Sequence, residues 1–268
     1  MRLLQRSEAG DFSLVEFVGP VPEYAILSHT WGSDAEEPTF GDLVDGTGKS
    51  KAGFDKIRFC IEQAAKDGLH YAWVDTCCID KRSSSELSEA INSMFRWYQN
   101  ATRCYVYLAD VSGDDSTDVL SDFQRSRWFQ RAWTLQELLA PRSVEFFTSR
   151  RARLGDRSSL VLDIHSRTGI PIRALQGSPL SLFSVRERMS WTAGREAKRE
   201  EDRAYSLLGI FDIHMPMLYG EKMENAFRRL NKEIEESQDV SSAENMEGVT
   251  KEKMVEEVFT WLNGPQNS

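Results

Sequence analysis

Apolar residues fall first into short unbroken runs that end in polar clusters. Tyr24-Ala-Ile-Leu-Ser28 runs into His29-Thr-Trp-Gly32, Leu69-His-Tyr-Ala-Trp-Val74 stops at Asp75, and Cys104-Tyr-Val-Tyr-Leu108 ends at Asp110. A fourth run is Ser143-Val-Glu-Phe-Phe147. Runs of this length without alternation read as strands buried on both faces. Between them the period changes to that of a helix. Phe54, Ile57, Cys60, Ile61, Ala64 and Ala65 form a stripe that Gly68 ends as a C′ residue. Ser83-Ser-Ser-Glu86 reads as a capping box, followed by Leu87, Ala90, Ile91, Met94, Phe95 and Tyr98 at helical spacing. Ser126 to Leu139 is helical in tendency and is closed by Ala140-Pro141.

This β-α-β-α-β-α-β order implies right-handed crossovers and a doubly wound, mainly parallel sheet of the α/β class. Ligands of such sheets sit beyond the carboxyl ends of the strands, so Ser28-His29, Asp75 and Asp110 are expected to gather on one edge. The alternative for each is an ordinary loop residue, since every strand must end somewhere.

Past residue 150 the rhythm is lost, and short helices and loops are expected through Leu180. Helical segments follow around Asp202–Gly209 and Glu221–Ile234, separated by the apolar turn Met215-Pro-Met-Leu-Tyr-Gly220. The expected organisation is an α/β core over 1–150, a C-terminal helical appendage over 151–235, and over 236–268 an acidic linker with the truncated start of a following nucleotide-binding domain. Val258 to Pro265 reads as a strand entering a turn, with no phosphate-loop Gly-Lys-Ser/Thr behind it.

Composition narrows the function. Apolar residues make up 40% and aromatics 10% of the 268 positions, the balance of a folded chain. The formal charge of −9 argues against nucleic acid as a partner. The amino terminus lacks a secretory apolar core, and no run approaches the about eighteen apolar residues of a membrane span, so a cytoplasmic protein without a membrane partner is expected. Cys60, Cys77, Cys78 and Cys104 lie in apolar stretches without C-x-x-C spacing and read as reduced core thiols. No metal site is expected at Cys77-Cys78 or at the four His. Dinucleotide-fold and hydrolase glycine motifs are absent, and Lys198-Arg199, interleaved with Glu, reads as a solvated helix face.

What remains is four words in order: Ala25-Ile-Leu-Ser-His-Thr-Trp-Gly32, Trp73-Val-Asp-Thr-Cys-Cys-Ile-Asp80, Arg131-Ala-Trp-Thr-Leu-Gln-Glu-Leu-Leu-Ala-Pro141 and Arg203-Ala-Tyr-Ser-Leu-Leu-Gly209. Together they resemble the HET domain of fungal heterokaryon incompatibility proteins, over about residues 1 to 235. The start Met-Arg-Leu-Leu and the end Trp-Leu-Asn-Gly-Pro resemble the type that continues into a NACHT domain and WD repeats. HET domains are in turn similar in plan to TIR domains, flavodoxin-like modules of innate immunity and regulated cell death.

That resemblance implies a cell-death effector that self-associates and is controlled by a C-terminal NACHT/WD-repeat sensor region. In TIR domains that cleave NAD, a Glu in the word S-x-W-C-x-x-E-L is catalytic, and the match lands on Glu137. Here Thr134 stands where that word has Cys, and no Ser precedes Trp133 by two residues. NAD is then a substrate, with no resident cofactor. Trp31 and Trp133 are expected as aromatic walls, Ser28 and His29 as ribose or phosphate contacts, Arg131 as the pyrophosphate partner, and Asp75 as part of the same edge. The competing expectation is a non-enzymatic death-signalling module that acts by self-assembly, with Glu137 in a structural salt bridge.

Overall fold

The computed structural model describes residues 1–7, 12–113 and 118–242, with side chains to residue 238. The amino terminus forms a hairpin of β1 (Arg2–Arg6) and β2 (Phe12–Glu16), and β3 (Ala25–His29) follows. Next come α1 (Phe40–Val44), α2 (Phe54–Lys66), β4 (Tyr71–Trp73) and α3 (Asp75–Cys78). Then come α4 (Ser84–Asn100), β5 (Arg103–Leu108), α5 (Val119–Arg125), α6 (Thr134–Leu139), β6 (Val144–Thr148) and β7 (Arg153–Asp156).

All four strands expected from the apolar runs are present, as β3, β4, β5 and β6, and they are mutually parallel. The sheet as a whole is mixed, in the order β2-β1-β4-β3-β5-β6-β7. β1 joins β4 antiparallel, and β7 returns along β6 antiparallel, so the expected parallel strands form the centre of a mixed sheet with antiparallel strands on both sides. Antiparallel neighbours need only a short turn, whereas a parallel neighbour needs a crossover. A five-residue strand such as Arg2–Arg6 is too brief for its alternation to stand out.

Side-chain alternation covers the sheet on both faces. Tyr105 and Phe147 meet Phe59 of α2 on one face, with ring centroids 6.4 and 5.0 Å away. On the other, Phe146 packs edge-on against Trp128 at 5.6 Å, and the Cys104 thiol lies 3.9 Å from the carbonyl of Glu137. Trp73 and Trp128 are fully buried, each contributing roughly 2–3 kcal/mol by removal from water. The four cysteines are buried free thiols.

α2 ends as its sequence predicts: Gly68 has φ +78°, and the Leu69 amide returns to the Ala64 carbonyl at 2.8 Å. At the start of α4 only half the capping box forms. The Ser83 hydroxyl accepts the Glu86 amide at 3.3 Å, but the Glu86 carboxylate pairs with Arg2 and accepts the Asp80 amide. That draws the amino-terminal hairpin onto the head of the helix.

The carboxyl-terminal half is helical: α7 (Val161–Thr168), α8 (Ile172–Leu175), α9 (Val185–Ser190), α10 (Asp202–Tyr205), α11 (Leu208–Phe211) and α12 (Lys222–Ser242). α12 runs past the Ile234 end expected for it, and the strand-like 258–265 stretch lies outside the described residues. α11 crosses α4 at Gly209, where a Cβ would lie 2.0 Å from the Cβ of Phe95, so only glycine permits this approach. No helix among the described residues is long and apolar enough to cross a membrane.

Candidate functional site

The expected Ser126–Leu139 helix is broken, and the break builds the site. Arg127–Gln130 form a single 3-10 turn, Arg131 is extended and bridges Glu196, and α6 begins only at Thr134. The Ala132 amide donates to the Glu196 carbonyl at 2.8 Å, and the Thr134 hydroxyl donates to the Trp128 carbonyl at 2.6 Å. Backbone groups that a continuous helix would have satisfied internally are thus satisfied from the appendage and the turn. Asp110 does not join the strand-end cluster, because its carboxylate caps the 3-10 turn through Ser126 Oγ and the Arg127 amide.

The broken segment delivers Glu137, in the first turn of α6, to the carboxyl end of β3. Ser28 is fully buried; its hydroxyl donates to Glu137 Oε2 at 2.5 Å and accepts from Trp128 Nε1 at 2.8 Å. Ser28 therefore sits behind the carboxyl group and orients it, a correction to the expectation that it contacts ribose or phosphate directly. Glu137 is 7% exposed and makes no salt bridge among the described residues. Burial pushes its pKa up to about 8, reinforced by Asp75 and opposed by the Ser28 hydrogen bond, Arg131 and Arg195.

His29, buried at the end of β3, places Nε2 3.9 Å from Asp75 and 4.0 Å from Glu37. Burial, with Lys56 adding to it, holds its pKa well below the usual imidazole range, so the ring is neutral at physiological pH. Asp75 opens α3 directly after β4. Burial pushes its pKa up, but Lys81, then His29 and Arg131, outweigh that and hold it below the usual carboxylate range. Lys81 lies 3.4 Å from Asp75 Oδ2 and 3.7 Å from the centre of the Trp31 ring, with the Arg131 guanidinium 5.5 Å from the same ring. Trp31 is thus a cation-flanked wall and not a bare stacking surface.

These groups surround a cavity of about 350 Å³ that six of the seven expected residues line: His29, Trp31, Asp75, Arg131, Trp133 and Glu137. Ile91, Met94 and Tyr98 of α4 make its apolar side. The opposite wall was not expected. Lys198 and Arg199 line it from an irregular segment: they are exposed, as expected, but they are not on a helix and they stand at the mouth of the cavity. Asp202 accepts from Trp133 Nε1 at 3.3 Å and from the Tyr219 hydroxyl at 3.0 Å, and Arg199 lies 4.0 Å from the Tyr219 ring centre. Burial raises the Asp202 pKa against those two hydrogen bonds. The sequence signals were slight: Asp202 immediately precedes the fourth word and Lys81 immediately follows the second.

Among the described residues no group of three or more His, Cys, Asp or Glu is placed to hold a metal ion. Chemically the cavity offers two carboxyl groups with raised pKa values, Glu137 and Asp202, four cationic side chains and two indoles. It suits a flat, anionic ligand of moderate size.

A family model described as heterokaryon incompatibility protein (HET) matches residues 24–123. The chain is also 57% identical over 242 residues to the Vegetative incompatibility protein HET-E-1 of Podospora anserina, across 87% of its own length. The chain carries a HET domain. It spans 18% of the length of that relative. The family match takes in Ser28, His29, Trp31, Asp75 and Lys81 of the HET domain, while Arg131, Trp133 and Glu137 lie past its matched end. No solved structure matches this HET domain.

Proposed function

We propose that the HET domain is a cell-death effector in fungal vegetative incompatibility, and that it acts by cleaving NAD to nicotinamide and ADP-ribose in the Glu137 cavity. The observation that carries this reading is the position of Glu137: in the cavity wall beside Trp31 and Trp133, held by Ser28 and not spent in a salt bridge. The order of the four parallel strands, second-first-third-fourth along the chain, is that of flavodoxin-like sheets and supports a TIR-like plan for the core.

In the proposed reaction the bond between ribose C1′ and the nicotinamide nitrogen breaks. Its electron pair leaves with nicotinamide, neutralising the pyridinium. The oxocarbenium-like ribose faces the Glu137 carboxylate in a site with little water, where a fixed negative charge acts strongly. Water then adds to C1′ and gives up one proton, so the products are nicotinamide, ADP-ribose and a proton. Trp133, fixed through Asp202, forms one wall for the nicotinamide; Arg131, Lys81, Lys198 and Arg199 supply charge for the pyrophosphate. With its pKa near 8, Glu137 is largely protonated in the empty site at neutral pH. The cationic nicotinamide ring favours the carboxylate on binding, which couples its ionisation to substrate.

The remaining polypeptide of such an effector, a NACHT and WD-repeat region in the type resembled, is proposed as the sensor that brings HET domains together. The test is to express the domain fused to an oligomerising module, follow cellular NAD and viability, and repeat with Glu137→Gln. The expected outcome is NAD depletion and death with the parent, and about a hundredfold or greater loss of NAD cleavage with the variant. Death that persists at full NAD levels in the Gln variant sinks the catalytic reading and leaves assembly alone as the mode of action.

A further inference from the structure

α4 and α6 each serve a second cavity. Leu87, Ile91, Met94 and Tyr98 form the stripe of α4 that faces the Glu137 cavity, whereas Phe95, Arg96 and Gln99 face a separate groove of about 660 Å³ at the carboxyl end of α6. Four arginines line this groove: Arg96 on α4, Arg142 at the α6–β6 corner, Arg157 just past β7, and Arg188 on α9; Asp212 is the one carboxylate with them. In a chain of net charge −9 this is a local reversal of sign.

Among the described residues none of the four guanidinium groups pairs with a carboxylate. Arg157 donates to the carbonyls of Leu138 at 2.7 Å and Arg142 at 3.4 Å, and Arg188 donates to the Ile210 carbonyl at 2.9 Å. Those bonds tie the groups to helix ends but occupy few of the five N–H donors on each. Arg188 Nε is buried without an acceptor, and its guanidinium stands 4.4 Å from the Phe211 ring centre. Burial lowers the pKa of Arg157 and of Arg188, and no carboxylate among the described residues pairs with either to offset it. Two partly desolvated cations without a counter-ion are a standing electrostatic cost that an anion relieves.

The surroundings narrow the anion. Several arginines converging on one space recognise the multiple oxygens of phosphate better than a single carboxylate does. Ser178 and Ser181 bring hydroxyl groups to the same rim, and Phe95, Leu139 and Phe211 give it an apolar side. We propose that this groove binds a small organic phosphate, its anionic group among Arg96, Arg142, Arg157 and Arg188 and its apolar part against Phe95 and Phe211. The proposal is independent of what happens at Glu137.

Inorganic pyrophosphate is the probe, titrated calorimetrically into the whole chain at moderate salt, with sulfate as the control anion. Arg96 and Arg142 are exposed, so the double variant Arg96→Gln/Arg142→Gln leaves the core intact, which a thermal melt checks. The expected result is saturable one-to-one binding, weakened about tenfold or more by that variant and little changed by Lys198→Gln/Arg199→Gln at the other cavity. Absence of saturable binding overturns the proposal. So does binding that the Arg96/Arg142 variant leaves intact, that only the Lys198/Arg199 variant removes, or that sulfate reproduces at equal charge.

Discussion

The two walls of the Glu137 cavity are built differently. The sheet wall consists of His29, Asp75 and Glu137, side chains placed by β3, α3 and α6, with the buried Ser28 behind Glu137. Its geometry is set by the core, down to the fully buried Trp128 that holds Ser28. The appendage wall consists of Lys198, Arg199, Asp202 and Tyr219, brought in by irregular chain and the start of α10: the Tyr219 hydroxyl donates to Asp202, Arg199 lies over the Tyr219 ring, and Lys198 pairs with Asp34. A rigid, desolvated wall tunes a charge, and a hydrogen-bonded, more exposed wall grips a ligand. The sheet wall should therefore govern stability and the chemical step, and the appendage wall should govern affinity.

The strongest break of that division is at Trp128. Trp128→Ala removes a fully buried indole from contact with Phe129 and Phe146 and takes away the donor to Ser28, so it should cost about 3–5 kcal/mol in a denaturant melt. A loss below about 1 kcal/mol would mean that the site is not continuous with the core.

An effect of similar size over the whole pH window, and of distinctive sign, concerns Glu137. Its folded pKa of about 8 lies above the ordinary 4.5, so between those values the folded state keeps a proton that the unfolded state has released. Stability must then fall as pH rises through that window, by about 1.4 kcal/mol per pH unit, and level off above pH about 8. Glu137→Gln removes this dependence. Melts of parent and variant from pH 5 to 8 should diverge steadily in favour of the variant, and parallel curves would show that the carboxyl group ionises freely.

How much of this was legible in the sequence follows from the same division. Buried parallel strands leave unbroken apolar runs, and β3, β4, β5 and β6 stood where those runs did. Their polar ends, with the Trp133–Glu137 word, named six residues of the cavity lining. β1 and the edge strands β2 and β7 were not legible, because each is at most five residues long. The place of the exposed Lys198 and Arg199 at the cavity was hidden because a charged, Glu-interleaved stretch has the same signature whether it faces bulk water or the mouth of a cavity. The break before α6 was equally hidden, since Thr134 finds its partners in Trp128 and Arg195, and the Arg195 contact crosses from the appendage. The words themselves came from family resemblance, and periodicity alone would have left Glu137 as one helical carboxylate among many.

The appendage wall gives the mildest and most selective prediction. Asp202 accepts one hydrogen bond on each oxygen, from Trp133 Nε1 and from the Tyr219 hydroxyl. Asp202→Asn keeps one acceptor, which the indole requires because it only donates, while the Tyr219 hydroxyl turns to accept from the new amide. Both walls remain in place, so stability should change by about 1 kcal/mol or less. What changes is the fixed charge and orientation behind Trp133. In the proposed reaction the variant should raise KM for NAD about threefold to tenfold with kcat nearly held, the pattern of lost ground-state binding. Glu137→Gln should do the reverse. If Asp202→Asn instead lowered kcat and left KM alone, the appendage would take part in the chemical step, and the division between a wall that tunes and a wall that grips would fail.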